Sequence, residues 1–350
     1  MPRMTLRLGI IGYGRIGELH AKWTREATGV EPVAVVDPTP ARRELAQRAG
    51  FRTYEGNALL LEDPSIDAVL VSTPTSMHFD HVMSALRSGK HVMVEKPTAM
   101  ELAHAKQMVA EARQRGLLLS TFHNRRWDPD YLTLKRAIDE KRFGRVVNVE
   151  SRLGQWASCV GPAAKDWRPN WRNEAAFGGG GLFDWGSHLL DQMWRLLWPA
   201  RPMSVFAQLR GNVWTSDCDD LARVCIDFDD GAVGLVEVNT TTTQPLPRWH
   251  VDGTTGSASS PHSLEFDTNV WSKLTFTDAN DGRASELPRA ERGLTAPQLW
   301  EQFAIACAGD GEPAVRPESV LPTMALLDAA RRSSATNRSV DIRDVVEWVA

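Results

Sequence analysis

The 350-residue chain lacks the features that mark several protein classes. It has four cysteines, Cys159, Cys218, Cys225 and Cys307, scattered with no CxxC pair. That spacing argues against a disulfide framework or a zinc site and suits reduced thiols in a cytosolic protein. No charge of one sign dominates: 40 Lys and Arg stand against 44 Asp and Glu, a formal net charge of −4. Such a balance gives no electrostatic reason to expect nucleic acid or a membrane as partner. Apolar runs are short, and none reaches the roughly 20 residues a membrane helix needs. MPRMTLRLGIIGYG enters a strand pattern almost at once, without the apolar region and small-residue cleavage site of a secretory signal, so a cytoplasmic protein is expected. Internal repeats and low-complexity segments are missing too.

What is present is ordinary globular composition, 42% hydrophobic and 24% charged, in a chain long enough for roughly two domains. In residues 1–123 short apolar strands alternate with helical patterns: LRLGIIG, PVAVVD, DAVLVSTP, HVMVEKP and LLLSTF are separated by helices that stop at glycine. Near-continuous apolar strands between helices predict a parallel sheet covered on both faces. From 124 to 350 the rhythm changes. DPDYLTLKRAIDEKRFG reads as helix, and VVNVESRLG, MSVFAQLRG, ARVCIDFDDG, AVGLVEVNTT and RWHVDGTTG read as strands joined by DDG and GTTG turns. This predicts an α+β second domain with an open, mostly antiparallel mixed sheet. A helix at about 318–336 is expected to pack back on the first domain, and 282–293 to be a loop.

Gly12, Gly14 and Gly17 form GxGxxG between the first strand and the first helix. A dinucleotide needs glycine there for the tight turn, for close approach of the pyrophosphate and for helix–sheet packing. The helix N-terminus then offers N–H groups and a positive dipole end to phosphate. Asp37, twenty residues after Gly17 at the end of the second strand, is placed to accept hydrogen bonds from ribose hydroxyls and to repel a 2′-phosphate. NAD is therefore expected over NADP, although Arg42 and Arg43 lie close enough to serve a 2′-phosphate if the loop folds inward. Lys96 ends the strand HVMVEK ahead of Pro97, at the strand end that faces the ligand crevice of such sheets. It either meets a substrate hydroxyl or points to water.

GGGGLFDWGSHLLD, 178–191, sets four glycines before a helix with Asp184 and His188 four apart. Residues so spaced share a helix face, with Cβ atoms about 6 Å apart. Asp184 can orient His188 or share a substrate with it, and an imidazole can take a hydroxyl proton near neutral pH. The glycines would let the chain approach cofactor and substrate closely. An ion pair on a helix surface is the plain alternative. A metal site would want a third ligand, and no further His/Asp/Glu cluster is visible nearby, so no metal is expected. Trp167, Trp171 and Trp185 are candidates for an aromatic wall against sugar C–H faces, and Trp194 and Trp198 for core. Arg126, Arg168 and Arg172 are candidate polar contacts to substrate.

GIIGYGRIG, VVDPTPARR, VSTPTSMHFDHVMSALRSGKHVMVEKPTAM, FHNRRWDPDYLTLKRAI and GGGGLFDWGSHLLD occur in an order that resembles the glucose–fructose oxidoreductase / inositol dehydrogenase / MocA family. NRRWD is similar to the branch holding scyllo-inositol dehydrogenases. The resemblance implies a Rossmann domain followed by a domain whose open mixed sheet forms a homodimer or homotetramer interface. It implies that Gly12, Tyr13, Gly14, Arg15, Ile16, Gly17 and Asp37 hold adenosine and pyrophosphate. Ser72, Thr73, Pro74 and His78 would border the cofactor groove. Glu95 and Lys96 would lie near the nicotinamide ribose, and Lys96, Asp184 and His188 would form the active site. The expected activity is an NAD(P)-dependent dehydrogenase acting on a sugar, inositol or related polyol. Its rivals are a redox-neutral NAD-dependent glycosidase and a non-catalytic NAD(P)-binding sensor.

Overall fold

The computed structural model describes residues 5–159, 171–263 and 266–348. Six strands build the first sheet: β1 (Leu6–Ile11), β2 (Val30–Val36), β3 (Arg52–Tyr54), β4 (Ala68–Val71), β5 (His91–Val94) and β6 (Leu119–Thr121). All their pairings are parallel, in the order β3-β2-β1-β4-β5-β6. Helices on both faces bury them; every residue of β4 is buried. The strand order reverses between β1 and β4. Two helices that leave the strand ends in opposite directions open a crevice there, at the carboxyl ends.

Among the described residues nine strands build the second sheet: β7 (Val146–Gly154), β8 (Pro202–Arg210), β9 (Leu221–Phe228), β10 (Val233–Asn239), β11 (Trp249–Gly253), β12 (Gly256–Ser259), β13 (Thr275–Asp278), β14 (Ala284–Glu286) and β15 (Val340–Asp341). The order is β14-β13-β12-β11-β7-β10-β9-β8-β15. Only β7 and β10 run parallel; the other pairings are antiparallel. The segment expected as a loop at 282–293 contributes the edge strand β14.

Alternation decides which face of this sheet is core. In β9, Ala222, Val224, Ile226 and Phe228 are buried while Leu221, Arg223, Cys225 and Asp227 face outward. The inner face is covered by the helices Ser187–Leu197 and Leu321–Thr336, with Trp194 fully buried and Trp198 packed against the core. The helix Leu321–Thr336 also reaches the first half. The Asp328 carboxylate accepts the Leu102 N–H at 2.9 Å, and Arg331 donates to the Met100 carbonyl at 2.9 Å.

The cores do not divide at residue 123. The helix Ala296–Cys307 sends Leu299, Trp300 and Phe303 into a cluster with Leu6, Leu8, Ile10 and Val35 of the first sheet. Late chain thus closes over early chain beside the glycine loop.

Candidate active site

A cleft of about 810 Å³ runs along the carboxyl ends of β1, β4 and β5 and continues to the glycine run. Such a volume is in the range of ligand sites, which are about 300–1,000 Å³. One end is lined by Gly12, Gly14, Arg15, Ile16 and Asp37, the middle by Ser72, Thr73 and Pro74, and the other end by Glu95, Lys96, Trp171, Arg172, Asp184, Trp185 and His188.

The glycine end has the shape a dinucleotide requires. Gly14 lines the cleft, and a Cβ there would meet nothing within 4 Å of protein, so that space is open to a ligand. Gly14 also caps the helix Arg15–Glu26 without a side-chain hydrogen bond, leaving first-turn N–H groups for phosphate oxygens. Gly17 does not line the cleft. A Cβ there would sit 2.2 Å from the Gly12 carbonyl oxygen, so its role is helix–strand packing. Asp37 accepts the Tyr13 N–H at 2.8 Å through Oδ2 and the Thr39 N–H at 2.9 Å through Oδ1. These bonds hold the carboxylate at the cleft wall with a further lone pair on each oxygen. Arg42 donates to Glu18 at 3.1 Å, and Arg43 donates to the carbonyls of Asp37 and Pro38 at 2.8 and 2.9 Å.

Three further expected residues do not line the cleft. The Tyr13 side chain is core, edge-on to Phe51, and only its main chain serves the loop. His78 is buried and clamped between the carbonyls of Pro97 and Thr73 at 2.9 and 3.0 Å; His81, one helical turn on, lines the cleft instead. Arg126 makes a buried bidentate pair with Asp191, at 2.8 and 2.7 Å, while its neighbour Arg125 faces the cleft. The short 3-10 turn Asn124–Trp127 decides which arginine of NRRW points outward. Trp167 and Arg168 lie outside the described residues.

At the far end, Asp184 does not bond His188. Lys96 Nζ donates to the Asp184 carbonyl at 2.7 Å and to its Oδ1 at 3.2 Å, and Arg172 lies 3.7 Å from the same oxygen. Leu182–Gly186 forms a π-helical turn ahead of the α-helix, so α-helical stacking of positions four apart does not hold there. Burial alone would raise the Asp184 pKa, but Lys96 and Arg172 outweigh it and hold the carboxyl below its ordinary value. His188 is buried, its Nδ1 has no hydrogen-bond partner, and its ring stands edge-on to His123 at 6.0 Å. Burial, then the positive charges of Lys96 and Arg125, push the imidazole well below its ordinary pKa, so it is neutral at pH 7.

The glycine run divides in two. Gly178 and Gly179 line the cleft, whereas Gly180 and Gly181 pack on Asp219 and Val238. Gly180 has φ +100, and a Cβ on it would lie 2.3 Å from Asp219 Oδ1. The Asp219 carboxylate in turn accepts the Leu182 N–H at 2.8 Å, which fixes the start of the π-turn. Arg125 lies over the rings of Phe266 and Trp185, at 4.1 and 5.6 Å, and Trp185 stacks on Phe266 at 4.9 Å. This wall was half legible: Trp185 was expected, but Arg125 and Phe266 were not. Among the described residues no group of three or more His, Cys, Asp or Glu is placed to hold a metal ion.

Two family models match: the oxidoreductase family with NAD-binding Rossmann fold over residues 6–123, and the GFO/IDH/MocA C-terminal domain over 131–259. The chain belongs to the Gfo/Idh/MocA oxidoreductase family. It is 35% identical to the uncharacterized oxidoreductase YdgJ of Escherichia coli over 61% of this chain and 60% of that protein, so the match spans less than two thirds of that relative. It is 32% identical to the scyllo-inositol 2-dehydrogenase (NAD(+)) of Bacillus subtilis over 72% of this chain and 72% of that one. Among solved structures, an NAD-binding protein from Listeria innocua superposes with a TM-score of 0.85 at 30% identity, covering 96% of this chain and 97% of that one. No helix among the described residues is long and apolar enough to cross a membrane.

Proposed function

We propose that this chain is an NAD-dependent dehydrogenase that interconverts a secondary hydroxyl and a carbonyl on a sugar, inositol or related polyol. The observation that carries the reading is convergence. Lys96, Asp184 and His188 stand at one end of a single cleft whose other end is Gly12, Gly14 and Asp37. The dinucleotide, held by the glycine turn and Asp37, would supply the hydride acceptor or donor. The chain's own residues handle the proton and the oxygen. His188, neutral at pH 7, takes the hydroxyl proton. The Lys96 ammonium holds the reacting oxygen and stabilises negative charge as it develops there. Asp184 aims Lys96 by accepting its N–H through both the carbonyl and the carboxylate. Trp171, Trp185 and Arg172 offer aromatic faces and a donor to the ring of the substrate.

NAD is favoured because Asp37 faces the cleft while Arg42 and Arg43 make contacts to Glu18 and to main-chain carbonyls. The half-exposed outer face of the second sheet, with the Arg223–Glu237 pair and Cys225 on it, supports pairing with a second copy. A concentration-independent monomer in light scattering would end that part of the reading.

The test is turnover. Purified protein is incubated with NAD or NADP and a panel of inositols, aldoses, lactones and aryl glycosides, while reduced nicotinamide and released aglycone are followed together. Reduction with a polyol or sugar, lost in Lys96→Ala and His188→Ala, is the expected result. Aglycone release without net reduction would replace the dehydrogenase by a redox-neutral glycosidase.

A further inference from the structure

Glu95 lines the cleft next to Lys96, and its carboxylate is held on both sides. Oε1 lies 2.8 Å from His20 Nε2, and Oε2 accepts the Lys96 main-chain N–H at 3.0 Å. The other ring nitrogen of His20, Nδ1, receives the indole N–H of Trp300 at 3.1 Å. An indole nitrogen only donates, so Nδ1 must accept, and the imidazole proton sits on Nε2, aimed at Glu95. His20 is fully buried, with Trp23 and Phe122 edge-on at ring distances of 5.0 and 4.4 Å and Trp300 closing the box at 5.6 Å. The residues come from four places: the helix Arg15–Glu26 behind the glycine turn, the end of β5, the end of β6, and the helix Ala296–Cys307 that returns from the far end of the chain.

We propose that His20 and Trp300 are positioning residues for the reacting end of the cleft. Trp300 selects the His20 tautomer, and His20 fixes the Glu95 carboxylate that in turn fixes the Lys96 main chain. The proposal rests on the reading of Lys96 as the residue that meets the reacting oxygen. The charged and titratable groups that face Glu95 are His20, Lys96 and, from the helix His78–Arg87, His78. Burial would push the Glu95 carboxyl up, and the His20 hydrogen bond and the Lys96 charge reverse it. Without the imidazole donor, burial acts with less opposition and the carboxylate takes a proton at higher pH.

The experiment uses the full chain with His20→Leu, His20→Gln and Trp300→Phe. Two readouts are followed against pH: kcat/KM with the best substrate, and NAD affinity by calorimetry without substrate. In His20→Leu the acid limb of both profiles should move up by about one pH unit, a loss of roughly tenfold on that limb. Glutamine keeps one amide donor for Glu95 and one acceptor for Trp300, so His20→Gln should return the limb to within about threefold of the parent. Trp300→Phe should move it in the same direction as His20→Leu by a smaller amount. An unshifted acid limb in His20→Leu, with activity falling only as far as thermal stability falls, would overturn the proposal. If none of the tested sugars and polyols supports NAD reduction by the parent, the dehydrogenase reading fails. The calorimetric profile then decides the positioning role alone: a shifted limb sustains it and an unshifted one removes it.

Discussion

Lys96 Nζ lies 2.7 Å from the Asp184 carbonyl oxygen and 3.2 Å from Asp184 Oδ1, although the two residues are 88 positions apart. A cation outcompetes a neutral imidazole for a carboxylate, and Arg172 adds a second positive charge at 3.7 Å. In the proposed reading Asp184 and His188 are therefore two separate devices: Asp184 aims the lysine and His188 stands alone. Asp184→Asn keeps the carbonyl contact and loses the charge. It should lower kcat by about 10- to 100-fold, with KM moving less, whereas Lys96→Met should cost about 10²- to 10⁴-fold. Steady-state kinetics on both variants check this; equal losses would mean that Asp184 touches substrate itself.

The second and third glycines of the GxGxxG turn should separate into a ligand effect and a folding effect. Gly14 faces open cleft, so Gly14→Ala should fold with nearly unchanged Tm and lose about tenfold or more in NAD affinity. Gly17 abuts the Gly12 carbonyl, so Gly17→Ala should lower the stability by roughly 1–3 kcal/mol as well. Calorimetry and thermal melts on the two variants make the comparison. A stable Gly17→Ala protein would contradict the packing role.

His123 ties stability to pH. Burial pulls its pKa from the ordinary 6.5 down to about 4, partly offset by Asp191. Between those values the unfolded chain binds a proton that the folded chain refuses. The stabilisation is therefore complete above pH 6.5 and is lost as pH falls toward 4, on the order of 3 kcal/mol when fully lost. Replacing His123 by Gln should flatten this part of the curve. Urea midpoints of both proteins across that window are the measurement, and parallel curves would reject the assignment.

Asp219 has the opposite sign. Burial lifts its carboxyl from 3.8 to about 7, against the Leu182 N–H that it accepts. The folded chain binds the extra proton between those values, so the stability it contributes is present at low pH and is lost as pH rises through about 7. Asp219→Asn keeps the acceptor and removes the charge. It should match the parent near pH 3.5 and exceed it by on the order of 4 kcal/mol near pH 8.5. Denaturant curves at the two pH values test it; equal stability at both would show that Asp219 is ionised without cost.

Much of the fold was legible in the linear sequence because its signals are local. Apolar strands such as AVLV and HVMV, glycine stops after helices, and GxGxxG with Asp37 at its set distance all act within one β-α-β unit. The inward alternation of β9 and β10 gave the mixed sheet in the same way. The short strand Arg52–Tyr54 and the helix Asn57–Glu62 carry too few residues for a period and were not read. The helix Ala296–Cys307 was missed as well, though it begins with a capping box at Thr295 and Gln298 that is visible in the sequence.

The sequence by itself determined the residue types along the cleft: the glycine turn, Asp37, Lys96, and Asp184 and His188 four apart on one segment. Tertiary structure decided which neighbour faces the cleft, Arg125 over Arg126 and His81 over His78, because a single turn of backbone rotates one residue outward and buries the next. It also decided who bonds whom. Asp184 finds Lys96, and Trp300 finds His20 across 280 positions. Such partners are set by how distant elements pack, and hydrogen bonds that short-ranged leave no periodic trace in the chain that forms them.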